Sequence, residues 1–124
     1  MKVRIYYEDT DSGGVVYHTK YIAFCERARS EMFFQNGVKC EKDGFVVRDL
    51  QATFFSPARL GDLVEVKTTI NSIKRSFVNI TQKIYKDETL LFEAKIKLVF
   101  LKDWKISTIP QNYIKILNEF SSKR

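Results

Sequence analysis

Three carboxylates, Glu8, Asp9 and Asp11, fall within four residues near the start of the chain, and Gly13, Gly14 and His18 follow within the next seven. An acid set against the first turn of a helix is equipped to attack a carbonyl. The unpaired N–H groups and the positive end of the helix dipole draw electron density onto the carbonyl oxygen. The carboxylate then attacks carbon or takes a proton from water. The stretch Tyr6-Tyr7-Glu8-Asp9-Thr10-Asp11-Ser12-Gly13-Gly14-Val15-Val16-Tyr17-His18-Thr19-Lys20-Tyr21 has these parts in order. Its glycines allow a tight backbone path and close approach by a ligand. An acidic loop that merely caps a helix fits the same residues, and the residues alone leave both readings open.

The neighbouring groups divide by role. Asp9 is placed to fix the loop by accepting backbone N–H groups, and Glu8 ends a strand where water satisfies it. His18 is the sole histidine. Its imidazole can orient water or shuttle a proton near neutral pH, or simply cap or pack the helix. Cys25 lies seven residues beyond His18, two helical turns on. No CxxC occurs, and two thiols with one imidazole do not make a usual zinc set, so Cys25 and Cys40 read as ordinary reduced thiols.

The elements that position these groups follow from periodicity. Val3, Ile5 and Tyr7 alternate with polar residues, predicting a strand over Lys2 to Glu8. From Val15 to Asn36 the period becomes helical, with Tyr21, Cys25, Ala28 and Met32 on one stripe that Ile22 and Phe33 widen. Gly37 suits the left-handed turn after it. Short strands are expected at Phe45–Val47 and Ala52–Phe55. Longer ones are expected at Leu63–Ile73, at Phe77–Tyr85 and, with the cleanest alternation, at Leu90–Leu101. Lys86-Asp87-Glu88 reads as a hairpin turn. Pro110 can sit in the first turn of a last helix, Gln111 to Phe120. One strand, one long helix, about five strands and a short helix make an α+β arrangement. A curled antiparallel sheet of five to six strands wraps one long helix, and both apolar surfaces are buried at once.

Composition narrows the function. The 124 residues suit one domain spanning 1–124. No apolar run approaches the ~20 residues of a membrane helix, and no basic-then-apolar leader precedes the first strand, so a cytoplasmic location is expected. The net charge of +6 suggests an anionic partner. The basic residues alternate with apolar ones and form no compact patch, which disfavours nucleic acid. Phe24, Met32, Phe33, Phe54 and Phe55 either line an acyl-sized pocket or fill the core, and the residues leave that choice open. Ser121 to Arg124 read as a disordered end.

The acidic segment resembles the signature of the 4-hydroxybenzoyl-CoA thioesterase family of hot-dog proteins. It is more closely similar to the Tol–Pal-associated acyl-CoA thioesterases of the YbgC type. Tyr7-Glu8-Asp9-Thr10-Asp11, Gly14-Val15-Val16-Tyr17-His18, Tyr21 and Phe24 to Glu31 carry the likeness, and Pro57 to Asp62 and Arg75-Ser76-Phe77 extend it. The resemblance implies a hot-dog fold and hydrolysis of an acyl-CoA thioester without a cofactor. It gives Asp11 the role of nucleophile or general base, and the backbone N–H at position 18 that of polarising the thioester oxygen. It gives the His18 imidazole a possible part in catalysis. Gly14 and Val15 become pocket residues, and Tyr7 and Tyr17, which flank the site in sequence, read as packing groups first and pocket walls second. Arg75 and Ser76 fall in a region that lies along the pantetheine arm in relatives, and Lys74 and Arg75 either meet CoA phosphates or are exposed strand-end cations. It assigns Cys25 no role. It further implies a dimer as the minimum unit, with tetramers common, and a place in lipid metabolism. The rival reading is a non-catalytic module that docks acyl carrier protein or an envelope-associated complex. An acyl dehydratase is disfavoured, because no proline flanks His18.

Overall fold

The alternating apolar residues of the second half do build a sheet. The computed structural model describes residues 1–39 and 42–121; Cys40, Glu41 and residues 122–124 lie outside that range, and with them the readings made of Cys40 and of the chain's last residues. Six strands and two α-helices run β1 Lys2–Arg4, α1 His18–Phe34, β2 Asp43–Phe54, β3 Leu63–Ile73, β4 Phe77–Lys86, β5 Thr89–Lys102, β6 Lys105–Ile106 and α2 Gln111–Asn118. The strands pair in the order β1-β3-β4-β5-β2, all antiparallel, and β6 folds back on the end of β5. The sheet curls around α1, which is the hot-dog arrangement the sequence predicts.

Burial follows the expected alternation. Val64, Val66 and Ile70 of β3, Val78, Ile80 and Ile84 of β4, and Phe92, Ala94, Ile96, Leu98 and Phe100 of β5 are all buried, as are Tyr21, Phe24, Cys25, Ala28, Met32 and Phe33 of α1. Phe24, Phe92 and Phe100 are fully enclosed. Truncating one such ring to alanine costs about 3–5 kcal/mol. Phe24 is therefore core, not pocket. Tyr113 of α2 packs on Phe33, Phe45 and Phe100 and closes the far end of the core.

One polar side chain enters this apolar layer. Gln82 of β4 is wholly buried, with its amide N–H groups donated to the Cys25 carbonyl and to Thr68 Oγ1, both at 3.0 Å, while its oxygen accepts from Arg29 Nη1 at 3.0 Å. With all its bonds made, the amide ties the middle of α1 to the sheet. Burial lowers the Arg29 pKa despite the nearby charges of Cys25 and Glu26.

Several expectations need correction. The first strand ends at Arg4, not Glu8. The Asp9 carboxylate accepts the Tyr6 N–H at 3.0 Å and the Asp9 N–H bonds the Tyr6 carbonyl at 2.9 Å, which wraps Tyr7–Asp9 into one 3-10 turn. The long helix starts three residues later than its periodicity suggests, because Val15 and Val16 pair with Arg59 and Thr10 as isolated β-bridges. The two short strands around Arg48 are one strand, β2. Its pairing with β5 shifts by one residue between Val47 and Asp49, and the positions packed on the core pass from Phe45 to Leu50 and Ala52. Pro110 is the N-cap of α2. Lys105–Ile106 is a strand the sequence reading left out. Among the described residues no helix is long and apolar enough to cross a membrane.

Candidate active site

The loop between the 3-10 turn and α1 is held at both ends. Asp11 N–H bonds the Val15 carbonyl at 2.9 Å, and Gly14 N–H bonds the Asp11 carbonyl at 3.0 Å. Gly14 has φ +81°, a left-handed turn that a Cβ would strain. The backbone of Ala58–Leu60 braces the loop from outside: Val16 N–H bonds the Ala58 carbonyl at 3.0 Å and Leu60 N–H bonds the Gly14 carbonyl at 3.2 Å.

Inside this frame the Asp11 carboxylate is held by one oxygen. Oδ1 accepts from the N–H of Gly13 at 2.8 Å and of Val15 at 3.4 Å. Oδ2 has no hydrogen-bond partner among the described residues, and the side chain is half-buried. One anchored and one uncommitted oxygen is an arrangement that fixes a carboxylate while leaving it free to react.

Asp9 is structural, as its place in the turn predicts. It is 4% exposed, its Oδ2 takes the Tyr6 N–H, and its Oδ1 meets Lys20 Nζ at 3.2 Å. Its carbonyl also accepts the Tyr17 N–H at 3.1 Å, so Asp9 joins the turn to the head of α1. Glu8 is exposed.

Helix α1 begins without a capping side chain and with no acid in its first turn. The Lys20 N–H returns to the Tyr17 carbonyl at 3.0 Å, while the N–H groups of His18 and Thr19 have no acceptor among the described residues. These two donors and the dipole they terminate form an anion-seeking spot seven residues along the chain from Asp11.

Beside this spot a cavity of about 290 Å³ is lined by Val16, His18, Tyr21, Phe54, Phe55, Ser56 and Pro57. The His18 ring is exposed and meets Phe54 edge-on at 6.3 Å. Tyr21 stacks on Phe92 at 5.3 Å, and its hydroxyl oxygen accepts the Ala58 N–H at 2.9 Å. Burial raises the Tyr21 pKa, and the Ala58 bond only partly offsets this, so the phenol stays protonated. Sequence reasoning named Phe54 and Phe55 as pocket or core and missed Ser56 and Pro57; no local pattern marks a loop that meets the helix only through the fold.

The remaining predicted residues are dispersed. Tyr7 is 82% exposed and Tyr17 51% exposed, both close to the loop in sequence but outside the cavity wall. Lys74, Arg75 and Ser76 form the turn between β3 and β4, tied by Lys74 N–H to the Phe77 carbonyl and by Phe100 N–H to the Ser76 carbonyl. The Asp11 loop is braced by Ala58–Leu60, just before β3, and this turn follows the end of β3, so in one chain an eleven-residue strand, roughly 35 Å long, lies between them. Cys25 is fully buried and burial pushes its thiol up to about 12, with Arg29 only partly offsetting the shift, so it is no nucleophile.

Residues 13–93 match the family profile described as the Thioesterase superfamily. The chain is 41% identical to the acyl-CoA thioesterase YbgC of Helicobacter pylori, over 95% of this chain and 98% of that one. It is 46% identical to the acyl-CoA thioester hydrolase YbgC of Escherichia coli O6:H1, over 90% of each. Among solved structures, a probable thioesterase from Bartonella henselae superposes with a TM-score of 0.82 at 32% identity, covering 89% of this chain and 97% of that one.

Proposed function

This chain belongs to the thioesterase superfamily, and from that premise we infer that it hydrolyses acyl-CoA thioesters to the free acid and CoA. The observation that carries the mechanistic reading is the Asp11 carboxylate, anchored through Oδ1 and uncommitted at Oδ2, beside a helix start whose first two N–H groups lack acceptors. The thioester carbonyl oxygen takes the place of the missing cap and accepts the His18 N–H. The carbon is then electrophilic toward Asp11 Oδ2, or toward a water that surrenders its proton to Oδ2. Either way the C–S bond breaks and the thiolate leaves with CoA; the activated water becomes the acid's second oxygen, or, where Asp11 attacks, water opens the acyl–Asp11 anhydride and restores the carboxylate.

The same reading makes the working unit a dimer. Strand β2 is paired on one side by β5 and has no partner on the other among the described residues; Val46, Val47 and Phe54 along it are 41%, 45% and 48% exposed. An unpaired edge with apolar side chains invites a second copy. Antiparallel pairing of two β2 edges lays the Phe54 end of one against the Asp43 end of the other. Lys74–Ser76, two strands away at that end, then come to the same side as the helix mouth of the partner, in reach of a long pantetheine arm.

The test is thiol release from a panel of acyl-CoA esters differing in chain length and including an aromatic ester. Asp11→Asn is expected to lose roughly 100- to 10,000-fold with the fold intact. An unchanged rate in Asp11→Asn, or no release from any ester by the native chain, overturns the reading. Single-turnover hydrolysis in ¹⁸O water tests the nucleophile role: label found in Asp11 marks an acyl–Asp11 anhydride opened at the aspartyl carbon.

A further inference from the structure

The chain's single tryptophan has no part in this chemistry. Trp104 is 79% exposed, at the tip of the hairpin that joins β5 to β6, and Ile106 beside it is 62% exposed. Lys102 and Lys105 pair across the hairpin, leaving Asp103 and Trp104 as a two-residue loop with φ of +50° and +66°. Such loops favour Asn-Gly or Asp-Gly because both positions are left-handed. A bulky ring there is conformationally unfavourable, and among the described residues no aromatic or cation–π partner meets it in return.

The tip is also cationic. Lys102 and Lys105 are exposed, and Arg75 meets the chain just past the hairpin, where its Nε donates to Thr108 Oγ1 at 3.3 Å. None of these three cations joins either of the two ion pairs found among the described residues. The carboxylates nearby are Asp103 in the loop, Asp43 opposite Lys102 on β2, and Glu119, which lines one surface cavity with them beside Lys39, Lys42 and Lys115. Since β2 occupies one side of β5 at Leu101 and Lys102, β6 occupies the other, and a dimer formed through β2 leaves the tip uncovered.

We propose that the Lys102–Ile106 hairpin docks the protein onto the anionic surface of a lipid bilayer. An indole prefers the boundary between hydrocarbon and water, an isoleucine gains by entering it, and lysines beside them reach the negative headgroups while their stems stay in the apolar layer. The combination of two apolar side chains with excess cations at one protruding point matches that interface. A nucleotide would use the indole face and the cations but leave Ile106 unexplained. The proposal does not depend on the assignment of Asp11.

The experiment uses the full chain, whose tryptophan fluorescence reports Trp104 alone. Vesicles of phosphatidylcholine with phosphatidylglycerol are expected to float the protein and shift its emission to the blue, and vesicles of phosphatidylcholine alone are not. Screening by salt should release it. K102Q/K105Q should weaken binding roughly 25-fold, about fivefold for each lysine neutralised. Trp104→Gly, which also relaxes the loop, should weaken flotation about tenfold or more while thiol release from a water-soluble short-chain acyl-CoA stays at the native rate. Absence of flotation by anionic vesicles, or equal flotation of native and variant proteins, overturns the proposal. So does a blue shift produced by CoA without lipid, which would assign the tip to the nucleotide.

Discussion

The Gly13 N–H donates to Asp11 Oδ1 at 2.8 Å, and a Cβ built on Gly13 would stand 3.3 Å from that same oxygen. The glycine thus both holds the carboxylate and leaves room for it. Gly13 has no positive φ, so alanine is conformationally allowed and its methyl must displace the carboxylate by a few tenths of an ångström. Gly13→Ala is expected to keep its melting temperature within a few degrees and lose about 10- to 100-fold in kcat/KM. Gly14→Ala should do the reverse: the space is open but φ is +81°, so stability falls by about 1 kcal/mol. Thermal melts and thiol-release kinetics on the two variants read this contrast.

His18 separates backbone from side chain. It is the first residue of α1, where proline is tolerated, and Tyr17 before it already has the extended backbone (φ −58°, ψ +141°) that a following proline requires. If the His18 N–H polarises the thioester, His18→Pro should fold and lose roughly 100- to 1,000-fold in kcat. His18→Ala, which keeps the N–H, should lose under about tenfold. Equal losses in the two variants would shift the role to the imidazole.

Asp62 supports the brace behind the Asp11 loop and makes it sensitive to acid. Burial would raise its pKa, but the Arg59 N–H at 2.8 Å and the Lys86 ammonium at 3.1 Å outweigh burial and hold the carboxyl below its ordinary value. A lowered folded value means the stabilisation is complete above the unfolded pKa of about 3.9 and is lost as pH falls through the folded one. Asp62→Asn should cost about 1–2 kcal/mol at neutral pH. Urea titrations should show the gap between the native protein and Asp62→Asn closing below about pH 4.

The free edge of β2 can be blocked without touching the core. Val46 and Val47 are both more than two-fifths exposed. V46K/V47K should keep a native circular dichroism spectrum, run as a monomer by light scattering where the native chain runs as a dimer, and lose most thiol release. A monomeric native protein with full activity would contradict the dimeric unit.

The strands of the second half were legible because each has one wet and one dry face; β3 runs from Leu63 to Ile73 as its alternation predicts. The first strand was over-extended because Tyr7 continues the alternation in sequence while Asp9 turns the backbone away from the sheet. β2 was read as two pieces because the bulge at Arg48 breaks the period on which a strand is recognised. Gln82 sits on the buried face between Ile80 and Ile84, and its partners Cys25, Thr68 and Arg29 come from two other elements, so periodicity gives no sign of its role. At the site, Asp11 and His18 stood out in one contiguous segment. Ser56 and Pro57 did not, since only the packing of Tyr21 under Ala58 brings that loop to the helix.

That last contact has a consequence for specificity. A single strip of backbone, Ala58 to Leu60, receives Tyr21 of the helix and zips to Gly14 and Val16 of the loop, so the helix mouth and Asp11 are registered to each other by main-chain bonds. The rings of Phe54 and Phe55 reach the same cavity without hydrogen-bonding to that strip. Under the reaction proposed above, substitutions at Phe54 or Phe55 reshape that cavity while the main-chain bonds that register the Asp11 loop to the helix are kept, so acyl preference and rate are set by separate parts of the fold.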